Sequence, residues 1–275
     1  MIRKRLILLS LIAFLIACQD NNEIVIPQKL PIREIYLKLE TGVQLGVKTF
    51  TYNQSGNLLR ELYQDARFQE ANYEIRNEYD ANERKTKLIH TFSDPTNFNT
   101  VEYTYEKGKV KTETLYYQEA YPHYRIKYFY NNHEQSDSSH HFYHQSLNNI
   151  GFTYNFTTHY RYIDGRLIKE WRKGTNVDFI SKLNRYEGDQ LIETCNPVTN
   201  MELVENCIRN NYTTHGQLYR VYSTYTGTPE KLLEQYTYMD NILTEKLIFD
   251  QSDYLPAYNP DPARYTILIR YEYEN

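Results

Sequence analysis

The sequence is poor in the residues that usually mark a chemistry. It has 3 Cys, 3 Met and 1 Trp among 275 residues. So few thiols exclude a cysteine-rich scaffold and a multi-cysteine metal cluster. No Gly-x-Ser-x-Gly elbow and no phosphate-binding loop occurs, which removes two common hydrolase and nucleotide-binding signatures. There is no basic excess: the formal net charge is −4 and the pI about 6.1, which argues against nucleic acid as the main partner. Beyond residue 17 no stretch is long and apolar enough to span a membrane as a helix. No segment combines helical periodicity with capping residues. The mean hydropathy of −0.73 excludes a thick aliphatic core.

Tyrosine is what the chain has in quantity, with 29 copies. Its ring packs well on a pleated surface, and its polar tip tolerates water. A thin, strand-rich structure with half-wet faces follows.

The first eighteen residues stand apart. Arg3, Lys4 and Arg5 are followed by an apolar stretch from Leu6 to Ala17, broken only by Ser10. That length is short for a membrane span and suits a signal-peptide core. It ends in Leu15-Ile16-Ala17-Cys18, which resembles the lipobox of bacterial lipoproteins. The resemblance implies cleavage before Cys18, a diacylglycerol on its thiol, and stable attachment through the several acyl chains typical of that family. The predicted organisation is a signal peptide over 1–17, the lipidated Cys18 with a polar tether over 18–34, and one β domain over 35–275. By the rule known for some Gram-negative lipoproteins, Gln19 rather than Asp after the cysteine implies delivery to the outer membrane, with the side it faces left open.

The domain itself repeats. An aromatic residue, any residue and Tyr precede a short turn of Gly, Asn or Asp, and Leu or Val opens the next strand. Phe50-Thr51-Tyr52 before Gly56-Asn57-Leu58, Tyr103-Thr104-Tyr105 before Gly108-Lys109-Val110, and Tyr160-Arg161-Tyr162 before Gly165-Arg166-Leu167 are clear copies. The turn tyrosines fall at 52, 79, 105, 130, 162, 186, 212, 238 and 273, mostly 24 to 27 residues apart, with longer intervals of 32 and 35 absorbed by loops over 131–150 and 250–263. Gly, Asn and Asp tolerate the positive φ of tight hairpin turns. The strands alternate with period two. In 152–162 one face carries Phe152, Tyr154, Phe156, Tyr160 and Tyr162, and the other carries Thr153, Asn155, Thr157, His159 and Arg161. The fold class read from this is all-β: a continuous antiparallel meander of about eight hairpins, curled into a half-barrel or barrel-like roll. Tyr160, Tyr162, Tyr236, Tyr238, Tyr271 and Tyr273 then face the concave side, well buried on the middle strands. Arg161, Thr237 and Glu272 face out.

The unit Tyr-x-Tyr-x-x-x-Gly-Asn-Leu resembles the YD repeat of the RHS family over roughly residues 45–275. The resemblance implies a sheet that spirals into a shell and implies no activity. The Asp that follows Tyr in that family stands here only at Asp80.

Candidate sites are few. Export would place Cys195 and Cys207 in an oxidising compartment, so they are expected to form a disulfide across the turn between them. His133, His140, His141 and His144 cluster in sequence. On a strand His140 and His141 point to opposite faces, and His140 and His144 are too far apart for one zinc ion, so no metal site is expected. No catalytic residue and no cofactor is assigned. Tyr160, Tyr162, Trp171, Tyr236 and Tyr238 are the candidate ligand-facing aromatics. The expected function is a lipid-anchored, non-enzymatic envelope protein that binds a polysaccharide or another envelope protein, its membrane contact being the lipid and nucleic acid no partner. The alternatives are a carbohydrate-active enzyme and a toxin-associated immunity or packaging protein.

Overall fold

A computed structural model describes residues 29–118, 121–144, 151–175, 177–197, 205–225, 229–249 and 267–274. The signal segment, Cys18, most of the tether and the 250–263 loop lie outside the described residues. Among the described residues, eighteen strands form one sheet. They are β1 (Pro31–Lys38), β2 (Gln44–Tyr52), β3 (Leu58–Asp65), β4 (Tyr73–Tyr79), β5 (Lys85–Phe92) and β6 (Phe98–Glu106). Then come β7 (Lys109–Tyr117), β8 (Tyr121–Tyr130), β9 (Ser136–His144), β10 (Phe152–Ile163), β11 (Arg166–Gly174) and β12 (Val177–Glu187). The last are β13 (Gln190–Pro197), β14 (Glu205–Tyr212), β15 (Leu218–Tyr225), β16 (Lys231–Met239), β17 (Ile242–Ile248) and β18 (Ile267–Tyr273).

Each strand pairs antiparallel with its sequence neighbours, and β18 pairs antiparallel with β1. The sheet is therefore a closed barrel, not the half-barrel or roll of about eight hairpins expected from the sequence. Closure removes both sheet edges, which in an open sheet would template pairing with other chains.

The reason for the discrepancy lies in the ninth repeat. Eight hairpins are continuous, from β2–β3 to β16–β17. The ninth turn tyrosine, Tyr273, lies at the end of β18. Its strand pairs with β1 at the other end of the domain. The pairing copies the hairpin geometry: Tyr273 faces Pro31, and the register skips Ile32 before Glu272 meets Arg33. In β2–β3 Tyr52 faces Leu58, and the register skips Leu59 before Thr51 meets Arg60. The same one-residue bulge follows Tyr79, Tyr105, Tyr130, Tyr162, Tyr186, Tyr212 and Tyr238. A bulge bends its strand and adds right-handed twist. Repeated around the sheet, it supplies the curl that closes the ring.

The tight turns match their residues. Lys107-Gly108, Asp164-Gly165 and Asp240-Asn241 all have positive φ at both positions, as the two-residue turns that fit strand twist require. In the longer turns the Asn53 carboxamide oxygen accepts from the backbone N–H of Ser55 and Asn57, and Asp80 and Asn131 repeat the arrangement.

The two faces differ in kind. Tyr36, Tyr52, Tyr63, Tyr103, Tyr128, Tyr160 and Tyr271 share one face by register. Tyr36 on β1 feels the charge of Tyr73 on β4, and Tyr124 on β8 that of Arg172 on β11. Such reach over three strands belongs to side chains that converge, so this face points inward. Its ion pairs are shielded, with Lys48, Glu34 and Glu61 at 20%, 15% and 16% exposure. On the other face Arg76, Arg185 and Arg270 are 62%, 61% and 57% exposed. Arg161, Thr237 and Glu272 lie on that outer face and are exposed. The six tyrosines expected on the concave side are there, but they are half-buried rather than sealed. Eighteen strands enclose more space than side chains fill. One grouping needs correction. An irregularity between Tyr154 and Phe156 rotates the start of β10, so Phe152 and Tyr154 face outward while Phe156, Tyr160 and Tyr162 face in.

Candidate functional site

The inner wall is built from the repeat upward. At each bulge one post-turn carbonyl lies beyond the end of the next ladder. β3 and β4, for example, pair only from Arg60–Arg76 onward, leaving Leu58 outside. Seven of the nine turn tyrosines donate their hydroxyls to such a carbonyl, one hairpin back. Tyr79 donates to Leu58 at 2.9 Å, Tyr105 to Lys85 at 2.7 Å, Tyr130 to Val110 at 2.8 Å and Tyr186 to Leu167 at 3.2 Å. Tyr212 donates to Leu191 at 2.9 Å and Tyr273 to Leu243 at 2.5 Å. Tyr52 donates to Pro31 at 2.9 Å, so the same clasp spans the split ninth unit. Asn77, Asn184 and Asn210 add a second donor to the carbonyls of Leu58, Leu167 and Leu191, each at 2.9 Å. The turn tyrosine is thus a tie between successive hairpins as well as a ring on the wall.

Deeper inside runs a belt of carboxylates. Glu34, Glu61, Glu113 and Glu170 each stand three residues after a post-turn residue, namely Pro31, Leu58, Val110 and Leu167. The hydroxyls of Tyr36, Tyr73 and Tyr128 donate to Glu34, Glu61 and Glu113 at 2.7, 2.7 and 3.0 Å. Lys48 bridges Glu34 and Glu61 at 3.9 and 3.2 Å, Lys182 pairs with Glu170 at 3.2 Å and Lys246 with Glu234 at 2.8 Å. Burial, then the neighbouring carboxylates, pushes the phenol of Tyr52 up to about 12. Burial holds the Glu113 carboxyl above its usual range, against the opposing pull of Tyr128 and Lys85. Gly46, opposite Tyr36, leaves the room that Tyr63 fills: a Cβ there would lie 2.7 Å from the Tyr63 hydroxyl.

Ser139 occupies the belt position on β9 and belongs to a polar knot. Its Oγ lies 3.0 Å from His141 Nε2 and 2.9 Å from the Tyr160 hydroxyl, and Thr158 Oγ1 lies 3.1 Å from the same Nε2. His141 also contacts the Tyr124 hydroxyl and stacks on Phe156 at 4.3 Å. Burial, then Arg172, brings its pKa down to about 4, so the ring is neutral near pH 7. A serine beside a neutral histidine invites a nucleophilic reading, but Ser139 is 0% exposed and meets no substrate. Among the described residues, no group of three or more His, Cys, Asp or Glu side chains is placed to hold a metal ion.

The candidate aromatics do not form one set. Tyr160, Tyr162, Tyr236 and Tyr238 line the inner wall. Tyr160 shares its hydroxyl with Ser139, and Tyr236 bonds Glu234. Trp171 lies on the outer face, stacked on His159 at 4.9 Å. Cys195 and Cys207 are directly opposed on β13 and β14 and joined by a disulfide, with the cross-link on the outer face. The asparagine donors and the carboxylate belt escaped the reading of the sequence. The recurring Leu-x-x-Glu of 58–61 and 167–170 was their available signal.

No family model matches the chain, and no curated protein matches it. Solved structures similar to it include TcdB2-TccC3, at TM-score 0.41 and 14% identity over 85% of this chain; the chain spans 16% of that one's length. A porin-like protein from Bacteroides uniformis ATCC 8492 has TM-score 0.42 and 12% identity, over 90% of this chain and 99% of the other. The Tc holotoxin pore of Photorhabdus luminescens has TM-score 0.35 and 15% identity, over 77% of this chain and 13% of the other.

Proposed function

We propose that the protein is a non-enzymatic binding module of the cell envelope, held by a lipid on Cys18, whose closed barrel stands in water and engages a polysaccharide. One observation carries the water-facing part of this reading. The outer face bears Arg–Glu pairs at Arg33–Glu272, Arg76–Glu74, Arg209–Glu230 and Arg270–Glu245. A membrane-spanning barrel needs an apolar outer band, and a cationic side chain at the bilayer midplane costs roughly 2–4 kcal/mol. Most inner tyrosine hydroxyls are committed to carbonyls and carboxylates, which suits a rigid display scaffold better than a catalytic cleft. The test is fractionation of cells carrying Cys18→Ala behind a cleavable secretory signal in place of residues 1–17, so that no apolar leader is retained. The native protein is expected in the membrane fraction with a lipid label. The variant is expected to be folded, unlabelled and released by alkaline carbonate. A variant that resists carbonate extraction would mean that the barrel itself inserts, and would overturn the reading.

A further inference from the structure

The outer face is not uniform. Around most of the barrel its cations meet carboxylates across the strands, as Arg185 meets Glu193 at 3.1 Å and Arg270 meets Glu245 at 3.2 Å. On β8 to β11 such pairs thin out: Arg166, at the start of β11, meets Asp189, but other cations there do not. Lys127, Arg161 and Lys169 have no carboxylate within ion-pair distance among the described residues. Arg161 and Lys169 are even directly opposed on β10 and β11. Like charges facing each other across a ladder destabilise it.

The same sector is aromatic. Phe129 packs on His140 at 4.4 Å, and His140 meets Tyr154 edge-on at 6.1 Å. His159 stacks on Trp171. Lys127 and Lys169 stand 5.3 and 5.5 Å from the Phe142 and Trp171 ring centres. Phe129 and Tyr154 remain 43% and 45% exposed. Toward the turn end of β10 a groove of about 540 Å³ is lined by Arg161, Lys169, Ile163 and Leu183, with Asp164 and the ion-paired Arg166 and Arg185 at its edge. That volume lies within the range of small-ligand clefts.

We propose that this sector is the binding surface for an acidic, uronate-bearing polysaccharide, whose carboxylates relieve the Arg161–Lys169 repulsion while its sugar rings lie against Phe129 and Tyr154. The inference rests on the envelope-binding reading above and supplies its ligand class and surface. Charge complementarity selects an anionic partner, and the exposed rings select one with apolar sugar faces. A single-stranded nucleic acid fits less well, because base stacking needs a free ring face. Trp171 gives one face to His159 and has Lys169 over its ring.

The experiment titrates the full mature chain with polygalacturonate, neutral dextran and oligothymidylate, each at low and high salt. Polygalacturonate is expected to bind, weakening as salt rises. The pair Arg161→Gln and Lys169→Gln is expected to lose about tenfold or more in affinity, as removal of charge-assisted hydrogen bonds implies. Arg270→Gln, on β18 across the barrel, should leave binding unchanged. The melting temperature of the Arg161→Gln variant should not fall, because a repulsion is removed. Binding of dextran but not polygalacturonate would overturn this inference and leave the envelope reading standing; binding of neither would remove support from both. Oligothymidylate bound as tightly as polygalacturonate, or full affinity in the double variant, would also overturn it.

Discussion

The clasp that closes the ring makes the sharpest prediction. Tyr52 donates to the Pro31 carbonyl at 2.9 Å, and Pro31 opens the strand that completes the split ninth unit. Tyr52→Phe keeps the ring on the wall and deletes only that bond. A neutral hydrogen bond contributes about 0.5–1.5 kcal/mol net, and a half-buried acceptor left unpaired adds to the loss. The expected cost is therefore ~1–2 kcal/mol. Tyr79→Phe is the informative comparison, because the Leu58 carbonyl also accepts from Asn77 at 2.9 Å and stays satisfied. Its cost should be about 0.5 kcal/mol, at the low end of that range. Adding Asn77→Ala to Tyr79→Phe should cost more than the two single changes together, since only the pair leaves the carbonyl bare. Thermal melts resolve these differences at about 2–4 °C per kcal/mol for a domain of this size. Hydrogen exchange should further show the Tyr52→Phe loss concentrated in β1 and β18. If Tyr52→Phe shifts the melt no more than Tyr117→Phe, whose ring is 46% exposed, the tyrosine is a wall residue and not a tie.

Three further outcomes follow from the same geometry. Burial and nearby carboxylates raise the Tyr52 phenol to about 12, and burial raises Tyr63 and Tyr162 to about 12 as well. A raised folded pKa stabilises fully below the unfolded value near 10 and loses that stability as pH climbs to 12. Stability should thus be flat up to pH 10 and fall steeply by 12, with tyrosinate absorbance appearing together with unfolding; phenols that ionise near pH 10 in the folded protein would contradict this. On the acid side, His141 at about 4 contributes stability that is present above 6.5 and disappears as pH falls to 4, a loss that His141→Gln should lack. Reduction of Cys195–Cys207, twelve residues apart, should cost about 3 kcal/mol in the chain-entropy model, measured by denaturant titration with and without reductant; equal midpoints would refute it.

How much of this was legible depended on distance along the chain. Eight turn tyrosines could be paired with their hairpins because turn residues and the next strand followed at once. Tyr273 could not, since its partner strand begins at Pro31, inside the segment read as tether. Counting local hairpins therefore stopped short of closure. Period-two alternation assigned most faces correctly, Tyr160, Tyr162, Tyr236 and Tyr238 included, because a strand has only two faces. It failed at Phe152 and Tyr154, where an irregularity resets the alternation and composition gives no warning. Trp171 followed the same rule outward: it pairs with His159, whose face had already been read as the polar one. The contrast between paired and unpaired cations on the outer face needed the cross-strand register, which no single strand carries.

The preference for tyrosine over phenylalanine at the turn positions has a physical reason in the bulge. A bulge gives the sheet its curl but strands one carbonyl per repeat beyond the ladder. A half-buried acceptor without a donor costs about as much as a hydrogen bond. Water could satisfy it at the rim of an open sheet. In a closed barrel the ring that covers the wall would exclude that water, so the covering ring must bring its own donor. A phenol does both with one side chain. It reaches from one hairpin back to the last, which also fixes the spacing between repeats. A chain with little aliphatic material can then hold eighteen strands in one ring, because the wall is tied at seven of its nine repeats rather than packed around a deep core. The seam obeys the same logic. Pro31 offers a carbonyl but no N–H, and at the mouth of the split unit only the acceptor is used. Replacing Pro31 by Leu, the residue found at the equivalent position in β3, should therefore leave closure intact.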